Sequence, residues 1–130
     1  MEDIRLKALT KRYGDITALP PVTARFPAEE TTVLLGPSGC GKTTLFRLLM
    51  GLERPTAGSI SGVPENISAV FQENRLLPEF SALTNIRLVT GNRVGEEDIL
   101  SLLRSLGLGD WAHKPVKELS GGMGRRVAIA

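Results

Sequence analysis

GPSGCGKT, residues 36–43, is the most informative segment of this sequence. It fits the pattern Gly-x-x-x-x-Gly-Lys-Ser/Thr, in which a glycine-rich loop leads from a strand into a helix. The apolar run before it, TTVLLG at 31–36, is typical of a strand that is covered on both faces. The apolar segment after it, TTLFRLLMGL at 43–52, predicts a helix that ends at Gly51 or just before Pro55. The sequence therefore predicts an α/β protein in which a buried strand, a glycine loop and a helix follow one another.

The residue types of this loop suit the phosphates of a nucleotide. Glycines let backbone N–H groups wrap the phosphates, and the helix N-terminus adds partial positive charge. Lys42 can reach the β- and γ-phosphates, Thr43 offers a hydroxyl to Mg²⁺, and Thr44 can bond an inner phosphate. A chance glycine-rich turn is the alternative, but chance would give this pattern in only about half a percent of chains this long. We interpret Cys40 as a small packing residue rather than a nucleophile, because no base lies next to it in the sequence.

Composition limits the classes of function. A chain of 130 residues with 42% hydrophobic and 23% charged residues is ordinary for one soluble globular domain. The formal charge of +2 is too small to indicate nucleic acid or anionic lipid by itself. A single cysteine excludes an internal disulfide and fits a reducing compartment. The sequence has no signal-peptide pattern and no apolar run of the ~20 residues that span a bilayer, so we expect a cytoplasmic protein.

Period-two patterns predict further strands in the first half of the chain. Residues 4–9 alternate apolar and basic side chains, and residues 22–26 alternate apolar and polar ones. The turn-rich segment YGDITALPP, residues 13–21, is expected to separate these two strands. Two more strands are predicted, one around Ile60 and one at ISAVF, residues 67–71.

The pattern changes to helical from about Leu76. Four apolar residues lie at helical spacing and predict one buried face, which we expect Gly107 to end: Ile99, Leu102, Leu103 and Leu106. Acidic residues 96–98 occupy the first turn of this helix, where the helix dipole favours them. The second half of the chain is therefore expected to be helical.

A second motif narrows the class of phosphate-binding protein. LSGGM, residues 119–123, follows the phosphate loop at a short interval, and together the two motifs resemble the ATP-binding subunit of ABC transporters. The resemblance covers the whole chain. It implies a P-loop NTPase core of the ABC ATPase type with an antiparallel β-subdomain and an α-helical subdomain. We expect residues 1–75 to form the β-subdomain and phosphate-loop core, and residues 76–130 to form the helical subdomain with the signature motif.

The resemblance assigns roles to residues outside the loop. Tyr13 matches the aromatic residue that stacks on adenine, although alone it would be read as a half-buried residue at a strand end. Gln72 matches the glutamine that contacts Mg²⁺ or the attacking water and senses the membrane subunits, although a lone glutamine is usually a surface residue. The Ser-Gly-Gly turn at 120–122 matches the signature that meets a γ-phosphate, although it could be an ordinary serine-capped helix start.

These assignments define the expected site. Its nucleotide-binding residues are Tyr13, Gly36, Pro37, Ser38, Gly39, Cys40, Gly41, Lys42, Thr43, Thr44, Ser120, Gly121 and Gly122. The expected catalytic residues are Lys42, Gln72 and Ser120, and the expected metal ligands are Thr43 and Gln72.

Two residues of the signature region depart from the family pattern. Met123 stands where glutamine is usual. Together with the segment VFQENRLLPEFSALTNIRL, residues 70–88, this methionine resembles the sequences of importers of the nitrate, sulfonate, taurine and pyrimidine-precursor group. We expect Met123 to leave the signature functional, because Ser120 and the backbone amides of the two glycines can still meet a phosphate. Gly124 stands where a polar or basic residue is commoner, and it should weaken the helix by up to ~1 kcal/mol relative to alanine.

The resemblance implies an ATP-hydrolysing subunit that energises solute import, with ATP and Mg²⁺ as cofactors. Its expected partners are a second ATP-binding subunit in a homodimer, transmembrane permease subunits and a solute-binding protein, with no nucleic acid. Its expected location is the inner face of the cell membrane. A chromosome-maintenance ATPase also carries both motifs, but it separates them with a coiled coil for which this sequence has no room.

The sequence ends at Ala130, ten residues after Ser120. In the family, the signature helix leads to a strand that ends in the aspartate and glutamate used for hydrolysis, and a switch histidine follows. We therefore expect this chain to be the N-terminal piece of an ABC ATPase that is inactive alone. The alternative function is that of a non-catalytic nucleotide-binding fragment or the product of a decayed gene.

Overall fold

The computed structural model describes residues 2–130, apart from the side chain of Asn92. The chain divides into two compact units, one up to Ala69 and one from Val70 to Ala130. Each unit has its own cluster of buried apolar side chains. The α/β class is confirmed, with an antiparallel sheet in the first unit and helices in the second. The assignment of roles to residues 1–75 and 76–130 stays a prediction.

The first unit is built on a three-stranded antiparallel sheet. Its strands are β1 (Ile4–Tyr13), β2 (Ile16–Phe26) and β3 (Ala57–Ser61), in the order β2-β1-β3. Leu6 and Leu9 of the central strand are both buried, although residues three apart on a regular strand point to opposite faces. The pairing with β2 shifts register between these two leucines, which is the signature of a β-bulge. The extra residue of the bulge returns Leu9 to the core face.

The hairpin between β1 and β2 is tighter than its composition predicts. The expected turn at residues 13–21 shrinks to Gly14 and Asp15, and the rest of that segment belongs to the strands. Pro20 and Pro21 therefore lie within β2. This strand is at the edge of the sheet, where a proline that lacks an N–H removes no ladder bond on the open side. The predicted boundaries were wrong because prolines were read as turn residues.

The predicted helix after the glycine loop is confirmed. Helix α1 spans Lys42–Leu49, and its buried Leu45 and Leu48 pack into the core of the sheet unit. Gly51 adopts a φ of 67° and donates its N–H to the Leu48 carbonyl, while Leu52 N–H bonds the Arg47 carbonyl. This is the way a helix ends on a left-handed glycine.

Two predicted strands do not form. TTVLLG at 31–36 and ISAVF at 67–71 have no regular secondary structure, and neither pairs with a strand within residues 2–130. Val33 and Leu35 are 69% and 89% exposed, so the apolar run at 31–36 is not covered on both faces. A strand exists only through hydrogen bonds to a neighbouring strand, and an apolar run carries no information about whether that neighbour is present.

The second unit is helical, as predicted. Its helices are α2 (Ala82–Thr90), α3 (Glu96–Ser105) and α4 (Gly121–Ile129), with 3₁₀ turns at Gly91–Arg93, Gly109–Trp111 and Val116–Glu118. The buried apolar side chains of this unit form one cluster, which consists of Ala82, Leu83, Ile86, Ile99, Leu103, Leu108, Ala112 and Val127. Among residues 2–130, no helix has the length and apolar character that crossing a bilayer requires.

The apolar periodicity of α3 is largely realised. Ile99 and Leu103 are buried, Leu106 packs against the core at the end of the helix, and Gly107 follows with a φ of 71°. Leu102 is an exception because its side chain is 39% exposed. The buried stripe of α3 is therefore narrower than the sequence predicts.

Asn85 is the buried polar residue that organises the start of α2. Its side-chain oxygen accepts a hydrogen bond from Leu77 N–H at 2.8 Å. Its amide nitrogen lies 3.0–3.3 Å from the carbonyls of Leu77, Phe80 and Ser81, to which it donates. Leu77 N–H thus finds its acceptor in this side chain, and the amide adds a second donor to three carbonyls that also accept backbone N–H groups.

Candidate nucleotide-binding site

The phosphate loop, residues 36–43, has a backbone that depends on its glycines. Gly39 and Gly41 adopt φ values of 80° and 97°, a left-handed region that favours glycine. A Cβ on Gly41 would also lie 2.8 Å from the Ala18 carbonyl oxygen, and one on Gly36 would lie 2.7 Å from Cys40 Sγ. Side chains at Gly39 or Gly41 would therefore strain the loop, whereas one at Gly36 would require only that the exposed Cys40 side chain move.

Lys42 lies across the loop that precedes it. Its ammonium donates hydrogen bonds to the carbonyl oxygens of Gly36 at 2.6 Å and Pro37 at 2.7 Å. Cys40 Sγ is 3.5 Å from the same nitrogen, and the Cys40 side chain is exposed rather than packed in the core. The first residue of α1 thus brings a positive charge directly to the loop.

The N-terminus of α1 is open to an anion. Gly41 occupies the cap position and has no side chain to accept a hydrogen bond from the first turn, which also contains no acidic residue. Thr43 is exposed and Thr44 is half-buried in that turn. Free N–H groups, the helix dipole and Lys42 all favour a negatively charged ligand at this point. The exposed Thr43 hydroxyl also fits Mg²⁺, which uses few protein ligands when phosphates supply the others.

Tyr13 lies at the end of β1 with 47% of its surface exposed. Its hydroxyl donates a hydrogen bond to Glu53 Oε2, and the ammonium of Lys11 lies 4.9 Å from the centre of its ring. The hydrogen bond to Glu53 raises the pKa of Tyr13, and the same bond lowers the pKa of the Glu53 carboxyl. Glu53 also pairs with Arg47 of α1, at 3.4 Å, so Tyr13 is linked to the helix that begins at the phosphate loop.

The Ser-Gly-Gly turn begins α4 in the second unit. Ser120 is the cap residue, and its Oγ accepts a hydrogen bond from Met123 N–H at 3.3 Å. The serine-capped helix start is therefore real, and the hydroxyl still has its own proton to donate. Gly121 and Gly122 are exposed, and a Cβ on either would meet open space. Packing within the described residues does not explain why both positions are glycine.

The residues after the Ser-Gly-Gly turn face the interior of the second unit. Met123 packs against the core. Gly124 is buried, and a Cβ there would lie 3.3 Å from Asn74 Nδ2. The glycine that departs from the family pattern thus lets α4 approach the segment that contains Gln72.

Gln72 is exposed within an irregular part of the chain, and we call residues 71–74 the glutamine segment. Arg125 of α4 holds this segment through Nη1, which donates to the carbonyl of Phe71 at 2.5 Å and approaches the Gln72 carbonyl at 3.4 Å. The same nitrogen lies 3.4 Å from Asn74 Oδ1. The second unit therefore joins Gln72 to the helix that starts at Ser120.

The structure groups the predicted residues in two sets. Tyr13 and the phosphate loop belong to the first unit, and Gln72 and the Ser-Gly-Gly turn belong to the second. Sequence reasoning missed Glu53 and Arg125, because nothing in their local sequence announces partners 40 or more residues away. No cluster of three or more histidine, cysteine, aspartate or glutamate residues suited to a metal occurs in the described part of the chain. The metal-binding roles of Thr43 and Gln72 stay predictions.

Comparison with known proteins bears directly on this site. The family model described as ABC transporter matches residues 19–130. Among curated proteins, the chain is 39% identical to the xylose/arabinose import ATP-binding protein XacJ of Haloferax volcanii, covering 99% of this chain and 38% of that protein. It is 41% identical to the aliphatic sulfonates import ATP-binding protein SsuB 1 of Mesorhizobium japonicum, covering 95% of this chain and 50% of that protein. The chain thus spans half or less of the length of these two relatives.

A solved structure agrees with the sequence match. The dimeric structure of MJ0796, a bacterial ABC transporter cassette, superposes with a TM-score of 0.77 at 31% identity. The match covers 97% of this chain and 67% of that one. The resemblance inferred from the phosphate loop and LSGGM is therefore confirmed, and this chain belongs to the ABC transporter family.

Proposed function

We propose that this protein is the ATP-binding and ATP-hydrolysing subunit of an ABC transporter that energises solute import across the cytoplasmic membrane. The observation that carries the proposal is the phosphate loop, where Lys42 and the uncapped start of α1 converge on one point. The names of the relatives, which are import ATP-binding proteins, support the direction of transport. Relatives named for xylose or arabinose and for aliphatic sulfonates are about equally similar, at 39% and 41% identity, so no solute is favoured.

In this proposal the first unit binds the nucleotide. The adenine stacks on the exposed ring of Tyr13, and the phosphates lie against the N–H groups of the loop. Lys42 exchanges its two loop carbonyls for phosphate oxygens, which are stronger acceptors because they are charged. Thr44 bonds an inner phosphate. Thr43 and Gln72 are the residues that would hold Mg²⁺, which would neutralise charge on the phosphates.

The second unit presents its Ser-Gly-Gly turn to ATP that is bound by a second copy of the chain. Ser120 has a hydroxyl proton available, and the backbone N–H groups of Gly121 and Gly122 lie at a helix N-terminus. The open space above both glycines suits an approaching phosphate better than a side chain would. The similarity to a cassette whose structure is dimeric supports a homodimer.

Gln72 is proposed to contact Mg²⁺ or the attacking water and to respond to the membrane subunits. Its segment is fixed to α4 by Arg125, so a shift of one is transmitted to the other. The proposed partners are the permease subunits and a solute-binding protein, which would hold the protein at the inner face of the membrane. No nucleic acid is part of this proposal.

A mixing experiment tests the arrangement across two copies. Lys42→Ala removes the phosphate contact of a copy's own loop, and Ser120→Arg blocks the turn that it offers to its partner. If the unaltered protein releases phosphate from Mg-ATP, each variant alone should release none, whereas a mixture should recover activity because some dimers keep one intact site. Failure of the mixture to recover activity would contradict the shared site. Absence of phosphate release by the unaltered protein, with ATP bound, would limit the function to nucleotide binding.

A further inference from the structure

Glu53 is the hydrogen-bond partner of the Tyr13 side chain, although the two residues are 40 positions apart in the sequence. The phenolic hydroxyl of Tyr13 donates to Oε2 of Glu53, and the Lys11 ammonium lies over the Tyr13 ring at 4.9 Å from its centre. The tyrosine is thus fixed at its hydroxyl and also along its ring. An exposed aromatic side chain at a strand end would otherwise move among several rotamers.

Glu53 is itself held firmly, which makes it an effective anchor. Lys11 Nζ lies 3.3 Å from Oε2, and Arg47 Nε lies 3.4 Å from Oε1. Only 16% of the Glu53 side chain and 15% of the Lys11 side chain are exposed. Lys11 is anchored in turn by a hydrogen bond of 2.9 Å to the Arg54 carbonyl. Both carboxylate oxygens therefore have partners on different elements.

The contacts around Glu53 also make the two faces of the Tyr13 ring different. The Lys11 ammonium occupies one face through a cation–π contact. A planar base can then stack on the opposite face. The contacts from Tyr13 to Glu53 and from Glu53 to Arg47 also connect the ring to α1, the helix that begins at the phosphate loop. Such an arrangement fixes the distance and tilt between a base and its phosphates before the nucleotide arrives. Preorganisation of this kind raises affinity by reducing the ordering that binding requires.

We propose that Glu53 is a positioning residue for nucleotide binding, which sets the orientation of Tyr13 so that the ring face away from Lys11 receives the base. This inference rests on the proposed function, because it assumes that Tyr13 stacks on adenine. The competing explanation is that the Lys11, Arg47 and Glu53 ion pairs only stabilise the sheet against α1. The two explanations differ in which ligand loses affinity when Glu53 is changed.

The test compares Mg-ATP with Mg-tripolyphosphate, which offers the phosphates without a base, in equilibrium titrations of the full chain. Base–aromatic stacking should make the unaltered protein bind ATP about tenfold or more tightly than tripolyphosphate. Glu53→Ala and Tyr13→Phe should each lower ATP affinity by about three- to tenfold and leave tripolyphosphate affinity unchanged. Glu53→Gln should lower ATP affinity less than Glu53→Ala does, because the amide oxygen of glutamine still accepts a hydrogen bond from the Tyr13 hydroxyl. The double variant Tyr13→Phe with Glu53→Ala should lose no more than either change alone.

The outcomes separate this inference from the proposal beneath it. Equal loss of affinity for both ligands in Glu53→Ala, with a lower melting temperature, would assign Glu53 a purely structural role and overturn the inference. An unchanged ATP affinity in a folded Glu53→Ala protein would overturn it as well, and Glu53→Gln serves if the alanine variant does not fold. If Tyr13→Ala abolishes the preference for ATP while Glu53→Ala keeps it, only the inference fails. If the unaltered protein shows no preference for ATP, adenine stacking on Tyr13 fails and the inference fails with it.

Discussion

Arg125 donates a hydrogen bond from Nη1 to the backbone carbonyl of Phe71, the residue directly before Gln72. Arg125 lies one turn into α4, the helix that Ser120 begins, so the bond connects the Ser-Gly-Gly turn to the glutamine segment within one unit. The Arg125 side chain is half-buried, and a charged donor in such a place contributes more than a surface ion pair does. We infer that this hydrogen bond holds the backbone next to Gln72 against α4.

Arg125→Ala should release the glutamine segment. Losing a hydrogen bond to a charged donor costs about 1.5–3 kcal/mol, which should make proteolytic cleavage within residues 71–74 faster by about tenfold or more. Limited proteolysis with an enzyme that cuts after glutamate measures this at Glu73. Arg126→Ala is the matched control, because Arg126 lies beside it on α4 but donates to the Leu106 carbonyl instead. Equal cleavage rates at Glu73 in both variants would contradict the role of Arg125.

Asn85→Ala should destabilise the second unit by about 2 kcal/mol, because Leu77 N–H loses its acceptor and three carbonyls of residues 77–81 each lose one of two donors. Chemical denaturation, followed by a probe in the second unit such as Trp111, measures the loss. Arg87→Ala on the same helix removes only an exposed ion pair with Glu96, so its effect should stay within about 0.5 kcal/mol. A cost for Asn85→Ala as small as that of Arg87→Ala would contradict the structural role of the amide.

Gly41→Ala should destabilise the first unit and abolish nucleotide binding. The substitution combines a φ of 97° with a Cβ placed 2.8 Å from the Ala18 carbonyl, so either the loop or β2 must move. Gly14→Ala separates these causes, because Gly14 has a φ of 57° in the hairpin turn but open space around its Cβ position. The control should lose about 1 kcal/mol of stability and keep its ATP affinity. A Gly41→Ala protein that binds ATP normally would show that the loop tolerates a side chain there.

Protonation of Asp3 in acid should lower the stability of the first unit. The Ala28 N–H and the Arg25 guanidinium hold the pKa of Asp3 below its usual value of 3.8. A carboxyl whose folded pKa is depressed stabilises the fold above the unfolded pKa, and that contribution is lost as pH falls through the folded pKa. Asp3→Asn should therefore lower the melting temperature at pH 7 and flatten the decline below about pH 4. Asp15→Asn, which removes the same charge from the exposed hairpin turn, provides the reference, and identical profiles for the two variants would contradict the prediction.

The elements that could be predicted from the sequence are those whose cause is local. The start of α1, its end at Gly51 and the serine cap of α4 each depend on residues within one turn of the boundary. The segments at 31–36 and 67–71 were wrongly predicted as strands because strand formation depends on a partner elsewhere in the chain. Composition could not reveal that neither segment is paired within residues 2–130.

The candidate site divides in the same way. Lys42 and Ser120 belong to motifs in which spacing alone carries the chemistry, so both could be identified without a structure. Glu53 and Arg125 act through contacts that span 40 and 54 positions, and each looks like an ordinary surface charge in the sequence. Residues that position other residues are therefore the ones that sequence reasoning misses here.

Equilibrium binding of Mg-ATP by the unaltered protein and by Lys42→Ala tests the central claim most directly. Lys42 provides the charge that lies across the phosphate loop, so its removal should weaken ATP binding by about 10- to 100-fold. Lys117→Ala removes an exposed lysine, paired with Glu79, and should leave the affinity unchanged. We expect saturable binding that depends on Lys42 and not on Lys117. Binding that is absent from the unaltered protein, or equal in all three, would contradict it.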